Sequence, residues 1–207
     1  MIKHSPWNRR RFLKYLSAGA LMVSTCSNTR QPPNIVMIIS DDQGWGDYGF
    51  MGHDTIRTPH LDRLASQSVV FTHGYVAAPL CCPSLASIIT GLHPHQHKIT
   101  SNDPTFEGTG EKWPVSEWSQ KRKQLRKDMI ANFNQNPTLP KQLQRLGYKS
   151  LQTGKWWMGH YRNGGFTHGM THGDINRGGR HGDAGLDIGR KSMQPVYDFL
   201  GKTGDQP

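Results

Sequence analysis

The sequence predicts an α/β fold built on a mostly parallel sheet, and three observations lead there. The run Asn34-Ile35-Val36-Met37-Ile38-Ile39 is apolar after its first residue and ends abruptly in Ser40-Asp41-Asp42-Gln43-Gly44. That is the pattern of a strand buried on both faces. Segments with helical apolar spacing follow, opened by cap residues and closed by glycine. The elements then alternate strand, helix, strand, helix, strand, the order of a parallel sheet with crossover helices.

Each element has its own warrant. Residues 34–39 form the first expected strand, and in open α/β sheets ligands sit at the carboxyl ends of such strands. Thr58-Pro59 is a helix start, with Pro at the first helical position, and Leu61, Leu64, Ala65 and Ser68 follow at helical spacing. Val69-Val70-Phe71 is the second expected strand. From Pro83 to Thr90 the residues Leu85, Ile88 and Ile89 fall on one helical face, and Gly91 ends the element. Residues 101–136 have little periodicity and read as a surface excursion, with a short solvated basic helix near "QKRKQLRKDM". Thr138 caps a further helix carrying Leu139, Leu143 and Leu146, closed by Gly147. Tyr148 to Thr153 is the third strand, ending in Gly154-Lys155. Beyond Lys155 the pattern weakens, and nine of the 23 glycines fall between Asn163 and Gly189, which marks loop.

The chain has 207 residues, the size of one domain, and a net charge of +10. The charge is unevenly placed. The first 33 residues hold Lys3, Arg9, Arg10, Arg11, Lys14 and Arg30 and no acid; without those six, 19 basic side chains face 15 acidic ones, a balance of +4. A mild positive charge suits an anionic small substrate. No aromatic RNA-binding signature and no Cys/His finger spacing is present, so nucleic acid is not an expected partner. Residues 1–33 read as an export signal, a basic cluster followed by the apolar run Tyr15 to Val23, too short to span a bilayer. Arg9-Arg10-Arg11-Phe12-Leu13-Lys14 resembles a twin-arginine signal, and Val23-Ser24-Thr25-Cys26 loosely resembles a lipoprotein cleavage box. The expectation is export to the periplasm by the twin-arginine translocase, with Cys26 as a lipid-anchor candidate; the alternative is a basic arm on a cytoplasmic protein. Cys81 and Cys82 are adjacent, and one peptide step is shorter than the Cα separation of an unstrained disulfide, so no disulfide framework follows.

Several side chains are candidates for chemistry. Asp41 and Asp42 either cap and solvate a loop or ligate a hard divalent cation, which favours carboxylate oxygen. Cys81 is either a small buried residue, one of a redox pair, or a chemical group. A thiolate is a soft ligand, poorly matched to a carboxylate site. Its place at a helix start also suits a tetrahedral oxyanion such as sulfate or phosphate. Lys155 is either a solvated charge or an anion clamp at a strand end, with Gly154 allowing close backbone approach. His160, His168, His172 and His181 lie in the glycine-rich stretch at spacings that fit no zinc signature. His160 is the acid–base candidate among them because it lies nearest Lys155 in sequence.

Four segments together resemble the sulfatase family. "NIVMIISDDQGWGDYG" is similar to its first strand and metal-binding acids. "TPHLDRLASQSVVFTHGYV" is similar to the helix and strand that follow. "CCPSLASIITGLHPHQH" resembles the Cys-x-Pro-Ser-Arg segment, and "TLPKQLQRLGYKSLQTGKWWMG" resembles the later Gly-Lys-Trp-His motif. They occur in order over residues 34–160.

The resemblance implies a three-layer α/β sandwich of the alkaline-phosphatase-like type, with residues 34–207 as the N-terminal part of a sulfatase catalytic domain. It implies hydrolysis of a sulfated small molecule or carbohydrate. Cys81 would be oxidised to formylglycine by a sulfatase-maturing enzyme, with Cys82 at the variable position. Asp41, Asp42 and the modified Cys81 would hold Ca²⁺ or Mg²⁺, and Lys155 would hold sulfate oxygens. An aldehyde hydrate offers oxygen, which removes the mismatch between a soft ligand and a hard cation. Two motif positions depart from the family: Leu85 stands at the arginine and Trp157 at the histidine, for which His160 is the candidate replacement. The family's later Asp-Asn metal pair and second lysine have no counterpart, so the expectation is an N-terminal portion, inactive by itself. The alternatives are a phosphohydrolase of the same superfamily, which would use Ser or Thr as nucleophile, and a non-catalytic exported remnant.

Overall fold

The computed structural model describes residues 32–104, 121–174 and 181–203. The expected leader, including Arg9, Arg10 and Cys26, lies outside them. The chain divides into two units, Met1–Ile35 and Val36–Pro207, and the second contains all the elements below. No helix among the described residues is long and apolar enough to cross a membrane.

In chain order the helices are α1 (Pro59–Ser66), α2 (Cys81–Thr90), α3 (Pro94–His97), α4 (Lys121–Asn134), α5 (Leu139–Arg145) and α6 (Gln194–Thr203). The strands are β1 (Leu151–Gln152) and β2 (His168–Gly169), paired in parallel with Leu151 opposite His168 and Gln152 opposite Gly169. Short 3-10 turns occupy Gly49–Met51, Tyr161–Gly164 and Asp183–Asp187. The class is α/β with parallel pairing, as the sequence predicts, but the sheet is much smaller. Residues 34–39 and 69–71 join no ladder, and their side chains face solvent, with Val36 78%, Ile38 85%, Val69 79% and Phe71 83% exposed. The third expected strand, 148–153, contracts to β1. An apolar run specifies burial, but a strand also needs a partner for its N–H and C=O groups and a layer on each face. Among the described residues neither is supplied to 34–39 or 69–71.

The core forms elsewhere. Cys82, Ala86, Ile99, Met129, Phe133, Trp156, Trp157 and Met158 make one buried cluster. Phe133 is fully buried and meets the edge of Trp156 at 5.8 Å between ring centroids, while Trp156 meets Phe166 at 5.6 Å, both near-perpendicular. Edge-to-face pairs of this kind add to the area the rings bury. The basic helix α4 is therefore not only a solvated face. It runs on to Asn134, and its Met129–Ile130–Phe133 stripe enters the core. The buried face of α2 is likewise rotated from the expected one. Cys82 and Ala86, four residues apart, point inward, Leu85 and Ile89 pack at the margin, and Ile88 is exposed.

Caps behave largely as the sequence requires. Gly91, at φ 71°, closes α2 by donating its N–H to the Ser87 carbonyl. Thr138 Oγ1 accepts from Lys141 N at the start of α5 and donates to the Gly164 carbonyl at 2.6 Å, tying that helix to the turn after Tyr161. Thr58 precedes α1 as expected, but its hydroxyl accepts from Gly49 N and donates to Asp62, so it fixes the 3-10 turn against the helix instead of capping an amide. His97 of α3 is fully buried. Its Nδ1 accepts from Ile99 N at 3.1 Å, so Nε2 carries the proton and donates to Ser87 Oγ at 3.0 Å.

Two stability effects follow. Phe133→Ala removes a fully buried ring and should cost about 3–5 kcal/mol in denaturant unfolding. Burial holds the His97 pKa below its ordinary value. The unfolded chain therefore binds the proton first as pH falls. Stability should be full above the unfolded histidine range and decline between about pH 7 and 5, with a shallower slope in His97→Asn; an equal slope in both proteins would contradict this.

Candidate functional site

Three segments far apart in sequence converge on one point. Asp41 and Asp42 come from the turn after residues 34–39, Cys81 from the first position of α2, and Lys155 from the segment after β1. One ligand atom from each of Asp41, Asp42 and Cys81 lies within 4.8 Å of the others. Asp42 has φ 55°, a left-handed conformation uncommon for a residue with a Cβ. Such local strain persists where surrounding structure over-determines it.

Lys155 joins this group directly. Its Nζ is ion-paired with Asp41 Oδ2 and lies 3.5 Å from Cys81 Sγ. Partial burial disfavours its charge, but the Asp41 contact outweighs that and raises its pKa, so the ammonium form is secured. The backbone around it is fixed. Gly154, at φ 74°, donates its N–H to the Gly185 carbonyl, and Trp156 donates to the His181 carbonyl. Trp156, Trp157 and Met158 then plunge into the core. Lys155 is thus the polar end of a segment whose next three side chains are anchored in apolar packing.

The two cysteines have opposite surroundings. Cys81 is half-buried beside the lysine, whereas Cys82 is completely buried, and burial pushes its thiol up to about 12 against an opposing pull from Arg126. Cys82 is an inert core residue.

Sequence reasoning passed over Asn102 and Arg126. Asn102 Oδ1 accepts from Cys82 N at 2.9 Å, which turns its Nδ2 toward Cys81 Sγ, 3.9 Å away. Arg126 donates to the Asn102 carbonyl at 3.3 Å and to the Trp157 carbonyl at 2.7 Å, and its guanidinium lies over the Trp157 ring. One arginine on α4 therefore ties the loop beside the cysteine to the loop carrying the lysine. No pattern in the sequence marks either residue, because both act through contacts 20 to 31 positions away. At the start of α2 Asn102 accepts the Cys82 N–H, and Pro83 has none. The cation beside Cys81 is Lys155.

His160 has a different set of partners. Its Nδ1 accepts from Arg162 N, capping the Tyr161–Gly164 turn, and its ring packs against Tyr161 and His172. Burial, then His172 and Arg162, lowers its pKa. The remaining loop histidines also make packing or backbone contacts, His168 with Phe199 and His181 with Trp157. Leu85, one helical turn beyond Cys81, lies against the apolar cluster, and Trp157 is 4% exposed within it.

The donor set fits a hard divalent cation in part. Two carboxylates supply hard oxygens, and the third ligand is oxygen only if the Cys81 thiol has been replaced.

Comparisons with known proteins give the family. The Sulfatase family model matches residues 33–182. N-acetylgalactosamine-6-sulfatase of Sus scrofa is 36% identical over 154 residues, covering 73% of this chain and 26% of that protein. Human steryl-sulfatase is 37% identical over 133 residues, covering 64% of this chain and 20% of that protein. The crystal structure of Ps i-CgsB superposes with a TM-score of 0.51 at 28% identity, over 84% of this chain and 33% of that one. The chain spans about a quarter of the length of the N-acetylgalactosamine-6-sulfatases it matches. A match over most of the chain, with the acids, the cysteine and the lysine of three segments gathered at one point, places this chain in the sulfatase family.

Proposed function

We propose that this chain carries the nucleophile-bearing part of a sulfate-ester hydrolase site. The observation that carries the reading is the gathering of Asp41, Asp42 and Cys81 within 4.8 Å, with the Lys155 ammonium 3.5 Å from Cys81 Sγ. In this reading a sulfatase-maturing enzyme converts Cys81 to formylglycine. The modified residue 81 would supply an oxygen nucleophile for sulfur and so split one difficult displacement into two steps. Asp41 and Asp42 would hold Ca²⁺ or Mg²⁺, which would supply positive charge for developing oxyanions.

The chain's own groups do the rest. Lys155 pairs with the sulfate oxygens as a point charge. Asn102 presents an N–H donor to the side-chain atom of residue 81 and fixes the first turn of α2. The buried Trp156-Trp157-Met158 segment holds Lys155 on a rigid base, as positioning of a catalytic group requires. His160 is the proposed proton donor to the leaving alcohol. The substrate proposed is a sulfated small molecule or carbohydrate, because the named relatives include both a sugar sulfatase and a steryl sulfatase. A phosphohydrolase of the same superfamily would carry Ser or Thr where this chain has Cys81. The proposed route is export by the twin-arginine translocase to the periplasm, with Cys26 as a lipid-anchor candidate, on the strength of Arg9 to Lys14.

Three outcomes test the reading. In a host with a sulfatase-maturing enzyme, mass spectrometry of the peptide spanning residues 74–98 should find an aldehyde at Cys81 and an intact thiol at Cys82; an intact thiol at Cys81 would favour a non-catalytic family member. In the unmodified folded chain, iodoacetamide at about pH 8–9 should alkylate Cys81 and spare Cys82, whose thiol stays protonated until about 12. Equal labelling of the two would remove the distinction drawn here. Arg9→Lys with Arg10→Lys should leave the precursor in the cytoplasm on fractionation, and unchanged export of that variant would sink the twin-arginine proposal.

A further inference from the structure

We propose that Lys155 is an internal counter-cation that competes with the divalent cation for Asp41, and that cation binding releases its ammonium group to an incoming sulfate-type anion. Cation and anion then bind cooperatively. The inference rests on the reading of the site given above and adds an order of events to it.

The argument starts from what Asp41 holds. Asp41 and Asp42 are adjacent carboxylates, and the Asp41 oxygen Oδ2 is already engaged by Lys155 Nζ. An ammonium and a divalent cation cannot share one carboxylate oxygen without strong like-charge repulsion. Either the cation enters and the lysine leaves, or the lysine stays and the cation is held less tightly. The contact is suited to exchange. The two side chains are 25% and 49% exposed, so water can solvate each partner as they separate. The lysine stem is flexible, while the backbone on either side of it is fixed by the Gly154–Gly185 and Trp156–His181 hydrogen bonds. Movement is therefore confined to the side chain.

The second contact says where the ammonium goes. Lys155 Nζ lies 3.5 Å from Cys81 Sγ, so a small swing away from Asp41 keeps it beside residue 81. There it meets an anion bound against the nucleophile. In the cation-free chain Asp41 and the anion draw on the same ammonium, so each opposes the other. When a divalent cation takes Asp41, that opposition ends. Coupling of this kind is reciprocal, so the anion must strengthen cation binding by the same factor.

The test is calorimetric titration of the purified chain, with Cys81 as the thiol, using Mg²⁺ as its chloride salt with and without inorganic sulfate. In the wild-type chain sulfate should tighten Mg²⁺ binding. Lys155→Met should bind Mg²⁺ roughly two- to fivefold more tightly than wild type in the absence of sulfate, with a diminished sulfate effect. Lys155→Arg keeps a cation on the carboxylate and should remain close to wild type, which guards against a folding defect in the methionine variant. Asp42→Asn should weaken Mg²⁺ binding while leaving the Lys155–Asp41 contact in place. Unchanged or weaker Mg²⁺ binding by Lys155→Met overturns the inference and leaves the site reading standing. A tighter Lys155→Met without any sulfate effect in wild type overturns the release step. Absence of Mg²⁺ binding in every variant overturns both the inference and the cation part of the reading.

Discussion

The ammonium group of Lys155 is the point on which the site depends. Asp41, Cys81 and Lys155 come from positions as much as 114 residues apart, and the lysine touches the other two. Its position is set from behind: three consecutive buried side chains, Trp156, Trp157 and Met158, fix the segment in the core. A charged group on such a segment keeps its place without a dedicated network of surface ion pairs, which contribute little individually. The core and the site are two sides of the same stretch of chain, so the packing of Phe133 against Trp156 bears on where the charge sits.

The fold was legible where one local signal was enough. Pro59, Gly91, Thr138 and Gly147 each mark a helix boundary through chemistry contained within a few residues, and those boundaries appear where expected. Two of the three expected strands were not, because a ladder is a property of two segments. Residues 34–39 have the apolar content of a buried strand and stay exposed, whereas Leu151 and Gln152, inside the expected third strand, sit in the one ladder among the described residues, against a partner, His168–Gly169, that no strand pattern marks. The basic helix shows a third kind of failure. Its charged first half dominates the composition, but the three residues that matter for packing lie in its second half.

The site was more legible than the sheet. Asp41, Asp42 and Lys155 stand out because each follows a break in pattern, an apolar run ending in acids or a strand ending in glycine and lysine; Cys81 stands out as one of two adjacent cysteines at a helix start, and the structure brings all four together. His160 was singled out by sequence distance alone, and the structure surrounds it with Tyr161, Arg162 and His172. Asn102 and Arg126 escaped notice because an amide and an arginine in a region without periodicity look like ordinary surface. Their roles exist only in the folded chain, where they join the turn before α4 to the segment after β1. Leu85 is explained in the same way: at its position on α2 the neighbours are apolar, and an aliphatic side chain suits them.

The buried aromatic segment has an optical consequence. Trp156 and Trp157 directly follow the lysine, and Trp45, 68% exposed, lies three residues beyond Asp42. These three indoles occupy two solvent environments. Emission from the pair in the core is blue-shifted relative to emission from Trp45, and with Trp7, Trp113 and Trp118 replaced by phenylalanine the chain would carry its own spectroscopic labels. In that background an event that rearranges the acids perturbs the red-shifted component, and one that loosens the lysine's anchor perturbs the blue-shifted one.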